Sequence, residues 1–379
     1  MSHSIKNVGD YTKKILCDTF KPQDLFDSLT LIIQTLETID KNQGSKLSLY
    51  VNISSFLTAL RTKGLDHKAD YIAAAAKAIL QFSDVIKYPV DTTHNKNEQA
   101  LVVADIVGTG GDGQNTFNVS TSSAIVVSGI KGIKIVKHGG KASTSNSGAG
   151  DLINVLGVDS TKVNAGSVEK LYASNDFMFL LASQFHKGMF HVAEIRKMMK
   201  IPTIFNVLGP LLHPMSIVNK RILGVYSKDL GLEYLKAARL VYPNNDIFVV
   251  WGHVGLDEIS PIGKTTVWCS QANNDLNTEI KVLEISPLDF GLMEHPLADC
   301  QSLGPAKNAD ILANHILQGE YRRGENAIYD YILLNSAMLY CLCFNSKDYK
   351  KAVDIVEESI HNGSALKSLQ KFVKDVEQL

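Results

Sequence analysis

The sequence predicts a two-part α/β fold: a small all-helical part, then a larger α/β part with a mainly parallel central sheet. Three features carry this reading. Through roughly the first 95 residues, apolar side chains recur at spacings of three and four, the helical period. From residue 101 onward, short apolar runs ending in glycine alternate with helical stretches, the pattern of β-α-β units with helices on both faces. The 379 residues are 45% hydrophobic and 20% charged, ordinary for a globular protein large enough for one large domain and a smaller one.

The elements follow in order. "PQDLFDSLTLIIQTLETID" and "SSFLTALRTKGLDHKADYIAAAAKAIL" read as helices, with Gly64 separating two of them and alanines favouring close packing. The polar stretch 94–100 reads as a surface linker. "LVVADIVG" reads as a buried strand, followed by a helix over 118–130 for which Asn118 and Ser120 offer good caps. "GIKIVKHGG" is a second strand, and "SGAGDLINVLG" a helix capped near Ser147. "DFMFLLA", "RILGVYS" and "DIFVVWGH" read as further strands, separated by the helices "HVAEIRKMMK" and "LGLEYLKAARLVY". "TTVWCS" and "IKVLEIS" read as an antiparallel addition, and the chain is helical from "AKNADILANHIL" onward.

Composition excludes several classes. A formal net charge of −1 lacks the electrostatic footprint of a nucleic-acid binder. The five cysteines are scattered and read as reduced, mostly buried thiols of a cytoplasmic protein. The first residues lack the apolar core of a signal peptide, so the sequons at Asn52, Asn118 and Asn362 read as idle. The longest apolar run, "YILLNSAMLYCLCF", is broken by Asn335 and Ser336 and is not expected to span a membrane.

In open parallel sheets, ligands bind at the carboxyl ends of strands, and each glycine-rich segment here lies at such an end. "GTGGDG", residues 108–113, satisfies G-x-G-x-x-G. It reads as a phosphate cradle of backbone N–H groups, helped by the helix start and by Ser120 and Thr121, or as a tight turn that needs small residues. A dinucleotide site further requires an acidic end to the second strand, to hold ribose hydroxyls. That strand ends instead in Lys137-His138-Gly139-Gly140-Lys141, which disfavours NAD. The cationic stretch 137–151, with hydroxyls at Ser143, Thr144, Ser145 and Ser147, is a second phosphate loop or a solvated connector. Asp257 and Glu258 are adjacent carboxylates at another strand end, suited to Mg²⁺ beside substrate phosphates or to a solvated turn. The segment "FNVLGPLLHP", with Arg196 ahead of it, reads as a connector or as a pocket wall with a guanidinium for a carboxylate. His186 and His191 have no zinc-ligand spacing and read as core or surface histidines.

"DIVGTGGDGQNTFNVST", "KHGGKASTSNSGAGDLINVLG", "RKMMKIPTIFNVLGPLLHP" and "GLDE" occur in that order, and together they resemble the anthranilate phosphoribosyltransferase family over nearly the whole chain. The resemblance implies a nucleoside phosphorylase/phosphoribosyltransferase type of fold. Residues 1–95 and helices from about 183–200 would form the helical domain, residues 101–379 the α/β domain, and two copies a homodimer. It implies transfer of a phosphoribosyl group from 5-phosphoribosyl-1-pyrophosphate to anthranilate, with Mg²⁺. Gly108, Gly111, Asp112, Thr116, Asn118, Ser120, Thr121, Lys137, Gly139, Lys141, Ser143, Thr144, Ser145 and Ala149 would bind the phosphoribosyl substrate. Gly108, His138, Gly140, Arg196, Gly209 and Pro210 would meet anthranilate; Ser120, Asp257 and Glu258 would touch the metal. No general acid or base is implied. The family commonly reads Lys-His-Gly-Asn-Arg where this chain has Gly140 and Lys141, and often has an arginine where Pro202 stands. These departures suggest a divergent eukaryotic member. A pyrimidine nucleoside phosphorylase of the same fold and a catalytically inactive relative are the competing readings.

Overall fold

The computed structural model describes residues 7–42, 46–87, 101–142, 146–272 and 279–379; the expected linker 94–100 lies outside them. The N-terminal part holds α1 (Val8–Leu16), α2 (Pro22–Asn42), α3 (Leu47–Thr62) and α4 (Ala69–Leu80). Asn7 caps α1 by accepting the Asp10 N–H at 3.2 Å, satisfying one of the donors a helix start leaves free. Gly64, at φ 66°, turns the chain after α3. Ala73, Ala75, Ala76 and Ala78 of α4 are buried; their small side chains let neighbouring helices approach closely.

Seven strands form one sheet: β1 (Val102–Gly108), β2 (Ile133–Gly139), β3 (Phe177–Leu181), β4 (Lys220–Gly224), β5 (Asp246–Gly252), β6 (Thr265–Ser270) and β7 (Lys281–Ile285). Their spatial order is β3-β2-β1-β4-β5-β6-β7. The first five run parallel, and β6 and β7 add antiparallel, as the alternating pattern predicts. The other helices are α5 (Val119–Ser128), α6 (Ala149–Val155), α7 (Val168–Ser174), α8 (Ala182–Phe185), α9 (Lys187–Met199), α10 (Phe205–Leu208), α11 (Lys228–Val241), α12 (Pro305–Asp310), α13 (Ala327–Phe344), α14 (Tyr349–His361) and α15 (Ser364–Glu377). The short α7 was not legible as a period, since it buries only Val168, Leu171 and Tyr172.

Two hydrophobic cores result. One joins β1, β2 and β3 to α5, α13, α14 and α15. The other joins α1–α4 to α9, to α11 and to inward residues of β4 and β5, so the N-terminal helices share their core with the sheet. The apolar run interrupted by Asn335 and Ser336 lies in α13, helical as the sequence predicts; by length and composition it could cross a membrane, but 83% of it is buried inside this protein. Asn335 is accommodated because its side chain donates to Ile259 O at 3.1 Å and accepts the Ile259 N–H at 3.2 Å.

Strand order reverses between β1 and β4, which opens a crevice at their carboxyl ends. Gly108 and Gly224 are register partners at that point.

Packing also fixes one glycine elsewhere. A Cβ on Gly231 of α11 would lie 2.3 Å from two ring atoms of Trp268 on β6. Gly231→Ala gains about 1 kcal/mol of helix propensity, but forcing the indole aside costs about 1–3 kcal/mol. The expected net outcome is a lower melting temperature, read by thermal denaturation.

Candidate functional site

Five segments converge on the crevice. The first is the loop after β1. Gly110, Gly111 and Gly113 have φ of 69°, 82° and 73°, a left-handed backbone that glycine adopts without steric cost. The Thr109 N–H donates to Gly224 O at 3.0 Å, and the Gly110 N–H to Asp257 Oδ2 at 2.6 Å. Among the described residues, the N–H groups of Gly111, Asp112, Ser120 and Thr121 have no acceptor, nor do the Ser120 and Thr121 hydroxyls. Asn118 does not cap α5 as expected. Its side chain instead donates to Ser147 O at 2.8 Å and accepts from Ser147 Oγ at 2.7 Å and Asn308 Nδ2 at 2.9 Å. The start of α5 therefore keeps free donors, which is what an anion site requires.

The loop after β2 is stitched to the first. Besides the Asn118–Ser147 pair, the Asn146 N–H donates to Asn115 Oδ1 at 3.0 Å. Asp151 accepts the N–H groups of Ala142 (2.7 Å) and Gly148 (3.0 Å), so α6 begins at Ala149 rather than being capped by Ser147. A Cβ on Gly139 would press on Ala149 Cβ at 2.9 Å, which explains the small residues at both positions. Gly140 has open space where a side chain would stand, and Lys141 is exposed. Ser143, Thr144 and Ser145 lie outside the described residues.

Lys137 departs from the expected mobile point charge. It is buried, and Nζ donates to His138 O at 3.2 Å. Burial pulls its pKa down, opposed by Asp105, Glu258 and Asp257. His138 is buried too, with its Nε2 3.0 Å from His186 Nε2, while His186 Nδ1 lies 2.8 Å from Ser83 Oγ. The Ser83 hydroxyl donates to Ile79 O, so it accepts from His186 Nδ1–H. His186 Nε2 must then accept from His138 Nε2–H, leaving His138 Nδ1 a buried acceptor with no partner among the described residues. Burial holds His138 well below the usual imidazole range, helped by His186 and His213, and holds His186 at about 4. Both rings are neutral near pH 7.

The acidic pair follows β5. A Cβ on Gly224 would lie 1.6 Å from Asp257 O, and one on Gly108 2.1 Å from Asp257 Oδ2. Asp257 thus occupies space that only this pair of glycines leaves. Glu258 accepts from Thr116 Oγ1 at 3.3 Å and from the Tyr331 hydroxyl of α13 in a short bond. Burial and then Asp112 raise the Asp257 carboxyl to about 7; burial and then Asp257 raise Glu258 well above the usual carboxylate range. Three carboxylates gathered near one buried lysine are under-neutralised. That fits a hard divalent cation bound by one or two carboxylates together with a ligand's phosphates. No group of three or more His, Cys, Asp or Glu able to hold a metal unaided exists among the described residues.

The last segment is α9, which starts directly after His186. Its Arg196 is half-buried over the Phe205 ring at 5.5 Å and has no hydrogen-bonded or ionic partner among the described residues. Phe205 opens α10, which leads into exposed Gly209 and buried Pro210. His191 lies apart, paired with Asp40 at 2.8 Å.

Sequence reasoning missed Gly224, Tyr331, Asp105 and the strand of contacts at 300–308. Gly224 had a signal, since "RILG" ends in glycine as "DIVG" does. Tyr331 and Asn308 had none, being helical residues far along the chain.

Asp257 sets a pH dependence. Its native pKa of about 7 exceeds the ordinary value, so between about pH 4 and pH 7 the folded chain holds a proton that the unfolded chain releases. Stability of the metal-free protein therefore falls as pH rises through that window. Asp257→Asn keeps the group neutral and is expected to melt higher than the parent at pH 8, by at least about 1 kcal/mol, with the gain vanishing toward pH 4 in metal-free melts.

A family model described as "Glycosyl transferase family, a/b domain" matches residues 100–366. The chain is 57% identical over 375 residues to anthranilate phosphoribosyltransferase of Saccharomyces cerevisiae, covering 97% of this chain and 98% of that protein. The solved structure of the Saccharomyces cerevisiae enzyme in complex with PRPP and Mg matches with a TM-score of 0.91 at 56% identity, covering 98% of both chains. The same enzyme in complex with 4-fluoroanthranilate matches with a TM-score of 0.88 at 54% identity, again over 98% of both.

Proposed function

The chain belongs to the anthranilate phosphoribosyltransferase family, and from that premise we propose how its own residues carry out the transfer. The amine nitrogen of anthranilate forms a bond to C1 of 5-phosphoribosyl-1-pyrophosphate (PRPP). The C1–oxygen bond breaks, pyrophosphate leaves with the electron pair, and the amine loses a proton. The observation that carries this reading is the junction of two stitched glycine-rich loops with the pair of buried Asp257 and half-buried Glu258 at the point where strand order reverses. The comparisons favour the transferase over a nucleoside phosphorylase of the same fold.

The free N–H groups at Gly111, Asp112, Ser120 and Thr121 are suited to the phosphates of PRPP. Gly108, Thr116, Gly139, Lys141, Ala149 and Ser143 to Ser145 complete that surface in our assignment. Asn118 shapes it by joining the two loops. Lys137 acts from below as fixed positive charge rather than as a surface contact. Asp257 and Glu258, with the Ser120 hydroxyl nearby in the same crevice, would hold Mg²⁺. When bound, the ion neutralises charge that builds on the departing pyrophosphate.

Arg196, half-buried and unpaired, is assigned to the anthranilate carboxylate, with His138, Gly140, Gly209 and Pro210 around the ring. An arylamine is uncharged at neutral pH, and neutral His138 adds no positive charge against a ribose ring that becomes cationic. Positioning and electrostatics therefore carry the reaction without an assigned general base. Gly140 leaves space that a larger side chain would occupy in relatives.

We also propose a cytoplasmic homodimer, with residues 1–95 and about 183–200 as its helical domain and residues 101–379 as the α/β domain. Leu47 (73% exposed) and Val51 (59%) are exposed apolar residues of α3, and Phe190 (76%) and Met198 (54%) of α9, two helices joined where Tyr50 and Lys46 meet Glu194. That apolar face suits a second copy of the chain. Phe190→Asp is expected to halve the solution mass by light scattering; an unchanged mass would place the contact elsewhere.

The activity test is loss of anthranilate fluorescence, expected only when anthranilate, PRPP and Mg²⁺ are all present. Arg196→Ala is expected to raise the KM for anthranilate by roughly 10- to 100-fold, the size of a lost charge-assisted hydrogen bond, with a much smaller change for PRPP. Equal effects on both would remove Arg196 from the anthranilate site.

A further inference from the structure

The loop after β4 places Tyr226 beside the glycine loop. Among the described residues, a Cβ added at Gly111 would come within 4 Å of one atom, Tyr226 Cδ1 at 3.9 Å, so the tyrosine ring is the side chain that faces this position of the loop. The other end of the ring reaches the N-terminal helices. The Tyr226 hydroxyl lies 2.9 Å from His67 Nε2, and the rings are 6.2 Å apart at 59°.

His67 is itself held. It stands in the single turn Leu65–His67 that follows Gly64, and Arg61 at the end of α3 reaches back to it. Arg61 Nη1 lies 2.7 Å from His67 Nε2 and 3.0 Å from Asp66 Oδ2. A guanidinium only donates, so His67 Nε2 presents its lone pair and the proton sits on Nδ1. Asp66 is buried, which fixes Arg61 in place. Arg61, Asp66, His67 and Tyr226 thus form one strap from the end of α3 to the back of Gly111.

We propose that Tyr226 is a positioning residue for the PRPP loop, and that His67 and Arg61 act on PRPP binding through it. The strap ties the left-handed backbone at Gly111 to the N-terminal helices, so that the loop is held in its binding shape before substrate arrives. Preorganisation of this kind appears as affinity for the ligand whose loop is held. It should leave the second substrate untouched. The inference rests on the assignment of residues 108–113 to PRPP.

The test is steady-state kinetics with both substrates on Tyr226→Phe, His67→Ala and the double variant, with Asp112→Asn as a reference for the loop. Tyr226→Phe keeps the ring and removes only the hydroxyl. Each single variant is expected to raise the KM for PRPP by about 3- to 10-fold, the size of one lost hydrogen bond. The KM for anthranilate should stay unchanged, and the circular dichroism spectrum should show each variant folded. The double variant should be no worse than the worse single, because both remove the same link. Independent, multiplying effects, or equal effects on both substrates, would overturn the strap. If Asp112→Asn raises the KM for PRPP and Tyr226→Phe does not, the loop assignment stands and the strap fails. If neither moves it, the loop assignment fails and takes the strap with it.

Discussion

Asp257 can stand at the centre of the crevice only because two register partners on adjacent strands carry no side chain. Gly108 leaves room for its carboxylate and Gly224 for its carbonyl. The carboxylate then receives the Gly110 N–H, which helps set the shape of the glycine loop. Thr116 and Tyr331 fix the neighbouring Glu258 from the end of the same loop and from α13. The glycine loop and the acidic pair are therefore one construction. The strand crossover puts it where the sheet opens.

That construction is held against its own electrostatics. Burial pushes both carboxyls of the pair upward and pulls Lys137 downward. Beneath them, Asp105 and Arg221 are fully buried on β1 and β4, and Asp105 Oδ2 and Arg221 Nη1 lack hydrogen-bond partners among the described residues. Arg221 is stabilised by the Tyr242 ring at 3.8 Å and by Asn245 Oδ1 at 2.7 Å. A layer of buried charge under a ligand site costs stability and is retained where a charged ligand completes it. A divalent cation and a polyanion together would do so here.

The sequence displayed the sheet well, because buried parallel strands write themselves as short apolar runs ending in glycine. Both glycine-rich loops and the acidic pair were legible as loops at strand ends for the same reason: each follows such a run. Residue environments were less legible. Lys137 reads as a loop cation, yet lies within β2 and points its charge into the interior. Asn118 reads as a helix cap, yet its side chain is claimed by Ser147 and Asn308, a residue 190 positions away. Burial in the first case and long-range partners in the second override a local preference, and no local pattern encodes either.

The most direct test of the central construction keeps both acidic residues in the chain and removes only the space that the Asp257 carboxylate occupies. Calorimetric titration of PRPP into Gly108→Ala, with and without Mg²⁺, does this. The new methyl group would displace the Asp257 carboxylate. The account predicts that the variant keeps its circular dichroism spectrum but loses the Mg²⁺-dependent part of PRPP binding. Mg²⁺-dependent binding equal to that of the parent would contradict it, since the seating of the Asp257 carboxylate by the glycine pair would then not be what Mg²⁺ depends on.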